Sequence, residues 1–401
     1  MNTLSSQERF AYQNKVKELI SRIEKNSGRS LLLEGFCASA KAYAVSIAAK
    51  NGIHVILLNN REEALFFAAD LYSLIGKEEV FFFPSSSSYS IKGKTEDPSY
   101  RVQRTAAIDA LKNYSERRYK YKNLLLVAYP HSISEKVITK KGLNSRILTL
   151  SVGNTLSHEF IKETLMAFSF IKTDFVTEPG EFALRGSIID IFSFSEDKPY
   201  RIDFFGDNIE SIKIFDIDSQ RSIEAREGID IYPDIHKEEE KGDEQEDIFS
   251  FIKETVTLWI DDSSYFKEQI DLLHKQGGAE ERPLTAEEFE KVIIPFQKIL
   301  FAPEINPSKA EEIEKIAFHT IPQPAFNKNF DLLAKDIAQR REEEFEVYIL
   351  SKNPNQIDRL KSILSSYEKE GETDFRGEQI SVHGGFVDYE AKICEIGRAH
   401  V

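Results

Sequence analysis

Lys41 lies just beyond Gly35 in the stretch Ser30–Ala44, SLLLEGFCASAKAYA. The layout is that of a phosphate-binding loop, G-x-x-x-x-G-K-[ST]. In such a loop, backbone N–H groups wrap the phosphates, the lysine neutralises charge and the hydroxyl ligates Mg²⁺. Two positions are eroded: the second glycine is Ala40 and the hydroxyl position is Ala42. Alanine resists the positive φ that glycine reaches freely, and it offers a metal no oxygen. Asp261 and Asp262, which follow the apolar run TVTLWI, mimic the strand-end acids that hold Mg²⁺ and position water in nucleotide hydrolases. Each feature alone has a plain explanation, a strand-turn-helix corner and a buried strand ending in a polar turn. Together they read as two halves of one nucleotide site that has lost its chemistry, so neither bound ATP nor Mg²⁺ is expected here.

Other candidates are weaker. His383–Phe386 (HGGF) has the outline of an oxyanion-hole motif, but no G-x-S-x-G elbow accompanies it, and a glycine turn is expected. The eight histidines are scattered without metal-ligand spacing, so no metal site is expected. Trp259 and Phe81–Phe83 read as core.

A different chemistry lies in Thr177–Ser222, TEPGEFALRGSIIDIFSFSEDKPYRIDFFGDNIESIKIFDIDSQRS. Pro179-Gly180 and Arg185-Gly186 mark bends, and Gly206-Asp207-Asn208 reads as a tight hairpin connection between antiparallel strands. Alternation puts Tyr200, Ile202 and Phe204 on one face and Arg201, Asp203 and Phe205 on the other. An arginine, a carboxylate and an aromatic side by side form the mixture enriched in protein interface hot spots. Alternation alone is equally served by a solvated face with one cross-strand ion pair.

The elements that must position these residues are legible from periodicity. Residues 5–140 alternate strand and helix: a polar helix over 5–25, strands at Ser30–Glu34, His54–Leu58, Glu78–Pro84 and Asn123–Pro130, and helices between them. Strict alternation predicts a mostly parallel sheet covered on both faces. The β-rich stretch interrupts this rhythm, and ETVTLWIDD resumes it, returning to the first sheet. The predicted divisions are residues 1–140, the first part of an α/β domain; 141–222, a β-rich insert; 223–318, the second part, with an acidic connection at 234–247; and 319–395, a small α/β domain. Within the last, QISVHGGFV reads as a strand.

Composition narrows the function. A chain of 401 residues fits two to four domains. Sixty-seven acidic against 52 basic side chains give a net charge of −15, which argues against a broad grip on nucleic-acid phosphates. Cys37 and Cys394 make no disulfide framework. The polar N-terminus and the lack of a membrane-length apolar run predict a soluble, cytoplasmic protein.

EPGEFALRGSIIDIF, YRIDFFGDNIESIKIFDIDSQRS and the later HGGFVDYEAKICE resemble the UvrB homology module of the transcription-repair coupling factors. The resemblance is strongest from Glu178 to Ser222 and weak between Asp234 and Phe318. It implies a degenerate P-loop NTPase-like, UvrB-like parallel-sheet domain, interrupted by a small β-rich α+β insert and followed by a second small α/β domain. UvrB itself keeps an intact phosphate loop and a DNA-clamping aromatic hairpin; here the loop is eroded and PSSSSYSIKGKTEDPSY carries no aromatic cluster, departures that match the coupling factors. The resemblance also implies UvrA as the partner, with contacts at Arg185, Arg201 and Phe205, and Asp203 on the same strand face. An arginine known two residues before Arg185 in UvrB is Ala183 here. In full-length members, further domains bind RNA polymerase and double-stranded DNA and use ATP and Mg²⁺ for translocation.

The last residues, Ile396–Val401 (IGRAHV), are what the sequencing adapter ATCGGAAGAGCACACGTC encodes in frame. They are expected to be foreign to the protein, with the natural chain continuing past Glu395. The expectation is a recruitment module without enzymatic activity of its own. The alternatives are a UvrB-like or divergent NTPase using Lys41 and Asp261, and a stand-alone repair adaptor.

Overall fold

A computed structural model describes residues 4–25, 30–85, 98–233, 245–252, 256–276, 283–303, 313–365 and 374–397. Most of PSSSSYSIKGKTEDPSY, most of the acidic connection and the last four residues lie outside this range.

Seven short strands form one parallel sheet in the order Glu314–Ala317, Leu31–Glu34, Gln297–Leu300, Val256–Ile260, Gly52–Leu57, Asn123–Ala128 and Val80–Phe82. Leu31–Glu34, Val256–Ile260, Gly52–Leu57 and Asn123–Ala128 bury residues at successive positions because both faces of the sheet are covered there, while the edge strand Glu314–Ala317 buries only Ile316. Leu31, Leu33, Ile56, Leu125, Val127 and Trp259 pack into one apolar cluster. Their neighbours Leu32, Val55, Leu57, Leu124, Leu126 and Leu258 pack into a second. Successive strand residues thus serve opposite layers, as the period of two requires.

The expected N-terminal helix is two helices, Ser6–Ala11 and Asn14–Lys25. The break lets each bury a separate face: Phe10 meets Tyr43 and Phe386, while Val16, Leu19 and Ile23 form an apolar stripe of their own.

The insert is a six-stranded sheet ordered Ser222–Arg226, Asn208–Phe215, Tyr200–Phe205, Ile188–Ile191, Glu181–Arg185 and Ile171–Lys172, antiparallel except for the last pair. Gly206, at φ +58°, opens the two-residue connection joining Phe205 to Asn208, a backbone state that costs glycine nothing. Tyr200, Ile202 and Phe204 face the insert's core with Ile161 and Leu165 of the helix His158–Ala167. Leu148, Leu150, Ile229 and Ile231 join the same core, and Leu148–Ser151 pairs antiparallel with Gly228–Ile231. The insert's packing therefore continues past Ser222, where the sequence division falls, because that last strand finds its partner far back in the chain.

The small domain is a five-stranded mixed sheet ordered Thr320–Pro322, Phe386–Asp388, Ile393–Ile396, Glu346–Leu350 and Arg376–Glu378, covered by the helices Phe330–Glu342 and Pro354–Leu364. The QISVHGGFV run is a strand only from Phe386 onward. Before it, Ser381 and His383 turn their N–H groups to side chains of the first domain, so they join no ladder. Ile396 pairs with Ile349, and the Gly397 N–H donates to Gln323 Oε1 at 2.6 Å. The chain is α/β, with a large parallel sheet interrupted by the β-rich insert and followed by the small α/β domain, as its sequence pattern implies. No described helix is long and apolar enough to cross a membrane.

Candidate functional site

Two places carry the residues singled out above. At the first, Gly35 ends the strand Leu31–Glu34 at φ +79°. A Cβ there would lie 2.0 Å from the Phe318 carbonyl oxygen, so only glycine lets the adjacent strand approach. Lys41, in the first turn of the helix Ala40–Ala48, reaches across to Asp261 at the end of Val256–Ile260 and pairs with it. Asn59 donates to the other Asp261 oxygen at 2.8 Å, and the Lys41 ammonium lies 5.5 Å from the centre of the Phe301 ring. Asp262 is set apart: it accepts the Tyr265 N–H at 3.0 Å near the start of the next helix. The structure therefore brings Lys41 and Asp261 together but pairs them with one another. Ala40 and Ala42 are fully buried. The lysine charge that would meet a phosphate is already neutralised.

The second place is the outer face of the insert's sheet. Strand alternation leaves Arg201, Asp203 and Phe205 on the side away from the core, and Arg185 lies two strands over, across Ile188–Ile191, at the register of Asp203. The organiser is Asp190, opposite both Arg201 and Ala183 and wholly buried. Arg201 grips it with two hydrogen bonds, from Nε at 2.8 Å and Nη2 at 2.9 Å. Arg201 also donates to the Gln220 carbonyl at 3.1 Å, and its guanidinium lies 4.3 Å from the Phe215 ring centre. Arg185 pairs with the same carboxylate from the other side, over the exposed ring of Phe175 at 5.2 Å. The two guanidinium groups are thereby held in place, which removes much of the ordering entropy that a partner would otherwise have to overcome.

Asp203 accepts from Ser211 Oγ at 2.6 Å and Lys213 Nζ at 2.8 Å. Burial pushes its carboxyl up, but the hydrogen bonds from Lys213 and Ser211 outweigh burial and hold it below the usual carboxylate range. The Asp190 contact raises the pKa of Arg201, against the opposing pull of burial. Phe205 is the exception in this array: it is 74% exposed, an apolar ring standing in solvent at the hairpin end. One face thus carries fixed charges along its strands and an unburied aromatic at its hairpin end.

Sequence reasoning selected Arg185, Arg201, Asp203 and Phe205 but not Asp190, Phe175, Lys213 or Gln220. One signal for Asp190 was available: an acid between isoleucines in SIIDIF is a charge inside an apolar strand, which folding tolerates only when it is paired.

Comparison with known proteins gives a match over the insert and partial matches to longer proteins. Residues 148–236 match the family model of the UvrB interaction domain. The chain is 29% identical over 204 residues to the transcription-repair-coupling factor of Bacillus subtilis (strain 168), covering 50% of this chain and 17% of that protein. It is 34% identical over 109 residues to that of Escherichia coli (strain K12), covering 27% of this chain and 10% of the relative. The Myxococcus xanthus factor is 32% identical over 108 residues, 27% of this chain and 9% of the relative. The chain thus spans at most 17% of the length of these relatives.

Proposed function

We propose that this chain, whose residues 148–236 belong to the UvrB interaction domain family and which is similar to the transcription-repair-coupling factors, is a recruitment module that captures UvrA on the outer face of its insert. The observation that supports this most strongly is Phe205, exposed at the hairpin end of the same sheet face on which Asp190 holds Arg185 and Arg201 in fixed positions. An exposed aromatic and ordered arginines on one sheet face have the composition of an interface anchor. In the proposal Phe205 inserts into the partner, Arg185 offers the accessible charge, and Arg201 and Asp203 fix the strand face around them. The proposal places the module in the cytoplasm. It assigns RNA polymerase displacement, DNA translocation and the use of ATP and Mg²⁺ to other domains of a longer protein.

Phe205→Ala is the decisive variant, because the ring touches little of its own chain and the fold should not register its loss. Titration against purified UvrA is expected to show affinity weakened about 30-fold, on the order of 2 kcal/mol, with the thermal midpoint unchanged. Equal affinity for both proteins removes the interface reading. Arg201→Glu is a poorer test, since it would set a second carboxylate against buried Asp190 and damage the sheet.

The proposal also excludes nucleotide binding by this chain. Calorimetric titration with Mg-ATP is expected to give no saturable heat, because Lys41 is committed to Asp261. Submillimolar binding that disappears in Lys41→Ala would favour a divergent NTPase instead.

A further inference from the structure

We propose that the eroded phosphate corner is an intrachain docking site, and that its occupant is the small domain, seated through Thr320 and the turn Ser381–Gly385. In a working phosphate loop the N–H groups at the helix start point at an anion. Here the Ala40 N–H turns back to the Cys37 carbonyl, and the N–H groups of Ser39 and Cys37 point at oxygens of the small domain. The Ser39 N–H, just before the helix Ala40–Ala48, donates to the Gly384 carbonyl at 3.1 Å. The Cys37 N–H donates to Thr320 Oγ1 at 3.0 Å, and that hydroxyl donates onward to the Gly35 carbonyl at 2.8 Å. A carbonyl and a hydroxyl thus satisfy donors of the kind that phosphate oxygens satisfy elsewhere.

The contact is reciprocal and closed. The Gly384 N–H donates to Ser39 Oγ at 3.2 Å, and Ser39 Oγ donates to Asp70 Oδ2 at 2.6 Å. The other Asp70 oxygen accepts the His383 N–H at 2.7 Å, and Ser73 Oγ accepts the Ser381 N–H at 2.9 Å. The His383 ring stacks on Phe66, with centroids 3.6 Å apart and planes within 10°. A Cβ on Gly384 would sit 3.4 Å from the Cβ of Ala38, so the turn lies against the loop before the helix with room for no more than a small side chain on that side. Asp70 and Ser39 are both buried, and each carries a bond to the incoming turn. The N-terminal helix braces the same joint: Ser6 donates twice to Glu378, and Arg9 pairs with Glu346.

The consequence is a latch. The strand, Gly35 and the turn persist because they hold one domain against another, and the polar bonds at Ser39 and Asp70 close the rim of a joint whose apolar part is Tyr43 and Phe10 against Phe386.

The test is amide hydrogen exchange on the full chain bearing Asp70→Ala, with Phe66→Ala as a second variant that removes only the surface stack on His383. The amides of Cys37, Ser39, Ser381 and His383 are expected to exchange about tenfold faster or more, while those of Leu124–Ala128 and Ile393–Ile396 keep their protection. Unchanged exchange at the joint in both variants overturns the proposal. So does a loss of protection spread equally through the small domain's strands, because the contact would then be part of that domain's folding core.

Discussion

Replacing Asp190 with alanine is expected to lower the stability of the insert by about 3 kcal/mol or more, and to abolish UvrA capture by the folded fraction. The carboxylate is wholly buried and is shared by two guanidinium groups. Arg201 is only 17% exposed, so without Asp190 its charge would stay largely out of water with the Gln220 oxygens as its remaining acceptors. Arg185 can turn toward solvent and contributes less to the loss. Urea unfolding followed through the insert should show a lower midpoint with an unchanged slope. The double variant Asp190→Ala with Arg201→Met should lose less than the sum of the singles, because removing both charges leaves neither stranded. A wild-type midpoint for Asp190→Ala would show that the carboxylate does not organise this face.

The second large effect is a dependence on pH at Glu395. Its side chain is fully buried, and burial, aided by the charge of Glu378, pushes its carboxyl up to about 8. The folded value therefore lies above the ordinary one. The native state keeps a proton that the unfolded chain releases once pH passes the usual carboxylate range. Stability should fall as pH rises from about 4.5 to about 8, by at most about 1.4 kcal/mol per pH unit, and should level off above that. Glu395→Gln should flatten this slope, matching the parent at pH 4 and exceeding it at pH 8. Chemical unfolding at four or five pH values reads the difference directly. Parallel curves for the two proteins would show that Glu395 is charged in the fold across the range.

Sequence reasoning reached five strands of the parallel sheet because they are continuous apolar runs, missed Gln297–Leu300 and Glu314–Ala317 because polar residues interrupt them, and reached the alternation of Tyr200 to Phe205 because one face is core and the other is not. It also anticipated that the Lys41 and Asp261 segments share one sheet, since both follow buried strands. Asp190 escaped because its meaning depends on two arginines that neighbouring strands deliver, and a single strand does not show what lies opposite. The turn before Phe386 escaped for the same reason. Its residues alternate as a strand would, yet the partners of their N–H groups belong to Asp70 and Ser73, more than three hundred positions earlier. The break between the first two helices was hidden because the polar run is uniformly helix-forming, and only packing of Phe10 divides it.

The chain enters the insert through Leu148–Ser151 and leaves it through Gly228–Ile231, and those two segments are zipped together, Leu148 opposite Ile231. Beside this neck, Asp230 lies 3.6 Å from Lys112, and Tyr232 donates to Asp109, both partners on the helix Pro98–Ser115. Topologically, the host sheet therefore meets a short excursion whose ends already touch, however many residues hang beyond them. Because the entropy of closing a loop rises only with the logarithm of its length, a cassette mounted this way can be lengthened, trimmed or exchanged between hosts with little disturbance to either side. The same neck ties the cassette to the host at the helix Pro98–Ser115, at Arg118 and through Tyr232 in the host core, so a pull on the cassette would reach the host beside its own entry and exit strands.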